Sequence, residues 1–80
     1  MKVKIYTTPT CGFCIAAKRL LNDNEVPFEE VDLRDHSERA RVQSELGWPT
    51  VPIVFVEDEL IGGYTDLEAH VRRNGIESLL

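Results

Sequence analysis

Apolar positions along this chain follow two periods, and the switches between them mark its elements. Lys2–Thr7 carries Val3, Ile5 and Tyr6, residue types that suit a pleated, half-buried surface, and reads as a strand. Thr8-Pro9-Thr10 breaks it and leads into a helix, with Thr10 placed to cap. From about Cys11 to Asn24, Ala16, Ala17, Leu20 and Leu21 fall on one side of a helix, with Lys18, Arg19, Asn22 and Asp23 away from them. Asn24–Pro27 is a turn, and Phe28–Asp32 is a second strand. Asp35 or Ser37 caps a helix expected over Glu38–Leu46, anchored by Val42 and Leu46 and ended by Gly47. Ile53–Val56 is an apolar strand, Glu57-Asp58-Glu59 turns the chain, Leu60-Ile61 returns and Gly62-Gly63 stops it. Thr65-Asp66-Leu67-Glu68 fits a capping box, so a last helix is expected from Asp66 to about Asn74. Gly75 interrupts it, and Ile76–Leu80 makes one more turn.

The order β-α-β-α-β-β-α describes an α/β sandwich with a four-stranded mixed sheet flanked by helices. Its first two strands form a β-α-β unit and are expected to be parallel, whereas the last two form a hairpin. Eighty residues leave room for one core, so residues 1–80 are expected to be one domain. A net charge of −5 with no basic stripe argues against nucleic acid and anionic membrane as partners. Met1–Ile5 shows no secretory pattern, and no apolar stretch approaches transmembrane length. The expected location is the cytoplasm, where a cysteine pair is more readily catalytic or metal-binding than a permanent staple.

The two cysteines form Cys11-Gly12-Phe13-Cys14 at the junction of the first strand and first helix. Residues three apart in a first helical turn can reach disulfide geometry without moving the backbone. Cys11 also faces the positive end of the helix dipole, which favours thiolate, the attacking species in thiol–disulfide exchange. Cys14 borders the apolar stripe and Cys11 points away from it, so an exposed Cys11 and a sheltered Cys14 are expected. A zinc site needs a full tetrahedron of ligands, and lone His36 and His70 supply no second pair. His36 is expected in a loop and His70 on the last helix. A CxxC pair beside a β-α-β pattern is the mark of a thioredoxin-like redox motif.

Three segments together resemble the glutaredoxin family. They are Ile5-Tyr6-Thr7 leading to Cys11-Gly12-Phe13-Cys14, then Thr50-Val51-Pro52, then Ile61-Gly62-Gly63-Tyr64-Thr65-Asp66-Leu67. The resemblance covers essentially the whole chain and implies the thioredoxin-like glutaredoxin fold. It implies a disulfide oxidoreductase in which Cys11 attacks and Cys14 resolves. It implies a cis bond at Val51-Pro52, where the residues alone also permit a trans proline opening a strand. Glutathione is the implied co-substrate, bound by Thr50, Val51, Pro52, Gly63, Tyr64, Thr65 and Asp66. The implied protein partners are disulfide-containing or glutathionylated proteins, met as a monomer and with no tightly bound cofactor.

The chain departs from the family at two places. Thr8 stands where many glutaredoxins carry a lysine for the glycyl carboxylate, and Trp48-Pro49 replaces an arginine before the Thr-Val-Pro loop. Arg39 or Arg41 offers a substitute cation, or serves only as a solvated helix charge. Phe13, Ile15, Val51 and Tyr64 are expected as an apolar rim around Cys11, with Trp48 either joining it or packing on the sheet. Two alternatives stay open. One is a dimer bridged by a [2Fe-2S] cluster through Cys11 and glutathione, which the small Gly12 favours. The other is a redoxin recycled by a flavoprotein of the thioredoxin-reductase kind, which Thr8 favours.

Overall fold

The computed structural model describes residues 2–80. The first strand, β1 (Val3–Thr7), alternates as its sequence requires: Val3, Ile5 and Thr7 are buried and the residues between them only partly so. It lies inside a sheet of order β2-β1-β3-β4. β2 (Phe28–Asp32) runs parallel to β1, with Ile5 beside Glu30 and Thr7 beside Asp32. β3 (Ile53–Val56) and β4 (Glu59–Gly62) form the antiparallel hairpin, with a bulge between Val54 and Phe55. The mixed four-stranded α/β sandwich expected from the pattern is the architecture found. Among the described residues no helix is long and apolar enough to cross a membrane.

α1 (Gly12–Asp23) and α3 (Tyr64–Asn74) cover one face of the sheet and touch each other. Ala17 and Leu21 from α1 and Leu67 from α3 meet Val3, Ile5 and Val54 in a fully buried cluster. Burying such side chains is the main favourable term available to so small a domain. The chain ends in a short 3-10 turn, Ile76–Leu79, which adds Leu79 to the same cluster. α2 (His36–Leu46) has one buried residue, Val42, which agrees with its weak apolar period.

Helix starts are where the pattern needed correction. α1 is capped by Cys11, not Thr10: Cys11 is extended, and its sulfur takes the Cys14 N–H that a cap must satisfy. Asp35 rather than Ser37 caps α2, its Oδ1 accepting from Ser37 N at 2.9 Å. That moves His36 out of a loop and into the first turn. α3 begins at Tyr64 with Gly63 as cap, two residues ahead of the expected Asp66. Asp66 sits in the third helical position and its Oδ2 accepts the Gly63 N–H at 2.9 Å. The acidic half of a capping box is therefore present, but its cap is Gly63, a residue with no side chain to announce it.

Candidate active site

The site is built where β1 hands over to α1. Thr8-Pro9-Thr10 closes the gap, and the Cys11 N–H returns to the Thr8 carbonyl at 3.4 Å. Cys11 is half-buried rather than exposed, because the loop before β3 lies over it. Its thiol donates to the Val51 carbonyl at 3.6 Å, and its sulfur accepts the Cys14 N–H at 3.1 Å. The Val51–Pro52 bond is cis. Cys14 is buried, 1% exposed, and both thiols are free. Burial pushes the Cys14 thiol up to about 12, and its hydrogen bond to Cys11 pushes the same way. The Thr8 backbone and the Lys18 charge pull it down by less. The two sulfurs are thus unequal: Cys14 is fully buried and held as a thiol, and Cys11 is only half-buried.

A groove of about 360 Å³ opens beside Cys11, lined by Phe13, Trp48, Thr50, Val51, Pro52 and the Gly63–Asp66 turn. It is of the size small-molecule sites take. All seven residues expected around the groove, Thr50, Val51, Pro52, Gly63, Tyr64, Thr65 and Asp66, line it together. Phe13 stacks on Tyr64 with ring centroids 6.1 Å apart and forms one wall. The floor of the far end is the N-terminus of α3, whose first N–H groups have no intrahelical acceptor and favour an anion. Among the described residues, the Asp66 carboxylate is the only formal charge on the lining.

Two groove residues escaped the assignment made from the residues alone. Phe13 was expected in an apolar rim, and Trp48 was left between rim and sheet; both line the groove itself. Trp48 Nε1 is buried there without a hydrogen-bond partner. Ile15 is exposed but borders a different, polar cleft, so it does not belong to the rim. Thr8 also lines that polar cleft and not the groove. Arg41 is closed on Glu45 at 3.0 Å, which makes it a helix-surface pair. His70 meets Ser78 Oγ at 3.2 Å and Asn74 at 3.4 Å, a structural bracket at the end of α3. No cluster of three or more metal-ligating side chains occurs among the described residues.

Comparison with known proteins places this geometry. The Glutaredoxin family profile matches residues 3–61. Glutaredoxin 3 of Escherichia coli K12 is 38% identical over 79 residues, covering 98% of this chain and 95% of that one. The hybrid peroxiredoxin hyPrx5 of Haemophilus influenzae is 41% identical over 68 residues, 85% of this chain, which spans only 28% of that protein. The crystal structure of Glutaredoxin 1 from Francisella tularensis, complexed with cacodylate, superposes with a TM-score of 0.84 at 34% identity. That match covers 89% of this chain and 92% of the other. With the dithiol at a strand-to-helix junction and the groove beside it, the chain belongs to the glutaredoxin family and is a thiol–disulfide oxidoreductase.

Proposed function

We propose that this single domain, residues 1–80, is a cytoplasmic, glutathione-dependent reductase of protein disulfides and glutathione mixed disulfides. The observation that carries this reading is the position of Cys11. Its sulfur accepts the Cys14 N–H, and its thiol donates to the carbonyl of Val51, a residue that lines the groove. In this reading Cys11 is the nucleophile and Cys14 the resolving thiol. A target disulfide is attacked by the Cys11 thiolate, and a mixed disulfide forms on Cys11. Glutathione then attacks it, or Cys14 does so and closes the Cys11–Cys14 disulfide. No organic cofactor is needed, because the electrons sit on sulfur.

Thr50, Val51 and Pro52 offer extended backbone to the cysteinyl part of glutathione, as an added strand would. Gly63, Tyr64, Thr65 and Asp66 take its γ-glutamyl end. The unpaired N–H groups of α3 hold the carboxylate, and the second lone-pair set of Asp66 accepts from the ammonium. The test is recycling of the oxidised protein, followed as NADPH consumption. Turnover with glutathione and glutathione reductase supports the reading. Turnover only with thioredoxin reductase overturns its glutathione half.

A second reading keeps the fold and changes the reductant. It is favoured by the charge of the groove: among the described residues Asp66 is its only formal charge, and Thr8 lines the other cleft instead. The glycyl carboxylate therefore meets no cation among the described residues of the lining. A flavoprotein reductase then serves as electron donor, and the same assay decides between the two. A third arrangement, a [2Fe-2S] dimer using Cys11, is favoured only by the open space around Gly12. Visible absorbance after reconstitution with iron, sulfide and glutathione tests it; a colourless monomer removes it.

A further inference from the structure

Exchange at Cys11 gives no role to the cleft that Cys14 lines. It has a volume of about 380 Å³ and lies on the other side of the active-site loop, and Cys14 lines it. Lys18 lines it too, one helical turn after Cys14 on α1, so the two side chains share a face. Lys18 is tethered. Its Nζ donates to Glu30 Oε2 at 2.9 Å, and Thr7 Oγ1 donates to the same oxygen at 2.7 Å. Thr7 is buried at the end of β1, so the tether runs back into the sheet. The remaining charges on the cleft, Asp32 and Arg34, are closed on each other at 2.7 Å. Cys11, the other titratable neighbour of Cys14, accepts its backbone N–H at 3.1 Å.

The resolving step faces an electrostatic problem. Cys14 is buried and protonated, and it must carry negative charge to attack. Once Cys11 is tied up in a mixed disulfide, α1 presents one cation on the Cys14 side, at Lys18. We propose that Lys18 is a positioning residue for resolution, its ammonium held by Glu30 and Thr7 where it stabilises the charge arriving on the Cys14 sulfur. This rests on the reading of Cys14 as the resolving thiol. Cys14 gives its proton to solvent at the cleft, and its thiolate attacks the Cys11 sulfur. The Cys11–substrate S–S bond breaks as the Cys11–Cys14 bond forms. The substrate leaves as a thiolate and takes up a proton, reduced by the electron pair that the dithiol has lost. Lys18 already counts among the groups that favour the Cys14 thiolate.

Rapid mixing of the reduced protein with excess dithiodipyridine separates the steps, because each releases one neutral, absorbing thiopyridone. Attack by Cys11 gives the first release and closure by Cys14 the second. In Lys18→Gln the first phase is expected unchanged and the second about threefold slower. A tenfold fall in thiolate fraction is offset about threefold by the greater nucleophilicity of a more basic sulfur. Its pH profile lies below the wild-type profile by that factor. Added salt slows the wild-type second phase toward the variant and leaves the variant unmoved, and Lys18→Arg restores the rate. A second phase equal to wild type in Lys18→Gln overturns the proposal. So does a slow phase that neither salt nor Lys18→Arg distinguishes. Cys14→Ser is the separate control: loss of the second phase upholds the resolving role, and its persistence overturns that role itself.

Discussion

The backbone N–H of Cys14 donates to the sulfur of Cys11 across 3.1 Å. One helical turn therefore provides both thiols, the proposed nucleophile among them, and a dipole that steadies the first. The consequence is a division of labour that mutation can read. Cys11→Ser is expected to bring all exchange down to the uncatalysed rate. Cys14→Ser keeps the N–H and the nucleophile, so glutathione-dependent deglutathionylation persists while reduction of protein disulfides is lost. Both are checked by NADPH-coupled turnover on a glutathionylated peptide and on a disulfide protein. Retained activity in Cys11→Ser would reverse the assignment.

Gly62 holds the groove by what it lacks. Its φ is +124°, and a Cβ there would run into the Asp66 carboxylate. That carboxylate is the acceptor for the Gly63 N–H at the start of α3. Gly62→Ala is expected to cost about 1–3 kcal/mol through backbone strain and the displaced cap. Because Asp66 lines the groove, the KM for glutathione should rise as well. Urea unfolding and steady-state kinetics measure the two effects. Wild-type stability in this variant would mean that the turn relaxes freely.

How much of this was legible depended on the distance over which each feature is encoded. β1 and the stripe on α1 are short-range patterns, and Ile5, Ala17 and Leu21 lie where their periods put them. The start of α3 misled because Thr65 and Glu68 mimic a capping box. The true cap, Gly63, works through its backbone, and only the Asp66 carboxylate marks it. His36 was misplaced for a similar reason: Asp35 and Ser37 are both fair caps, and the choice between them falls to local geometry. Trp48, in the loop before β3, and Phe13, in the first turn of α1, reached the groove through packing between separate elements, which no local period records. The Thr7–Glu30–Lys18 tether needs the parallel register of β1 and β2 before its members become neighbours.

Leu67 is the one buried residue of α3 and is fully enclosed. With Tyr64 and Val71 packed beside it, it pins to the core the helix whose N-terminus floors the groove. Leu67→Ala is expected to cost about 2–5 kcal/mol, from lost transfer energy and the cavity left behind. For a domain stable by about 5–15 kcal/mol that is a large share. Ile15→Ala, at an exposed site on α1, should stay within about 0.5 kcal/mol of wild type. Denaturant midpoints compared between the two variants check the contrast. Equal midpoints would mean that α3 is held by something other than Leu67.

Acid should loosen the tether between α1 and the sheet. The Thr7 hydroxyl, and after it the Lys18 ammonium, hold the Glu30 carboxyl below its ordinary value of 4.5. The unfolded chain binds that proton more readily than the folded one, so stability rises with pH across the interval between the two values. The contribution is complete above about pH 4.5 and is lost as pH falls through the folded-state value. Solvent reaches both partners, with 33% and 36% of their side chains exposed, so screening keeps the effect modest. Asp32 adds a slope of the same sign through its bond to Arg34. Glu30→Gln removes the titrating group and keeps an oxygen for Thr7. It should flatten the acid limb of a stability-against-pH curve without moving the limb assigned to Asp32. Thermal midpoints between pH 3 and pH 7 provide that curve. An acid limb of undiminished slope in Glu30→Gln would show that Glu30 titrates alike in both states, and that the tether contributes nothing to folding.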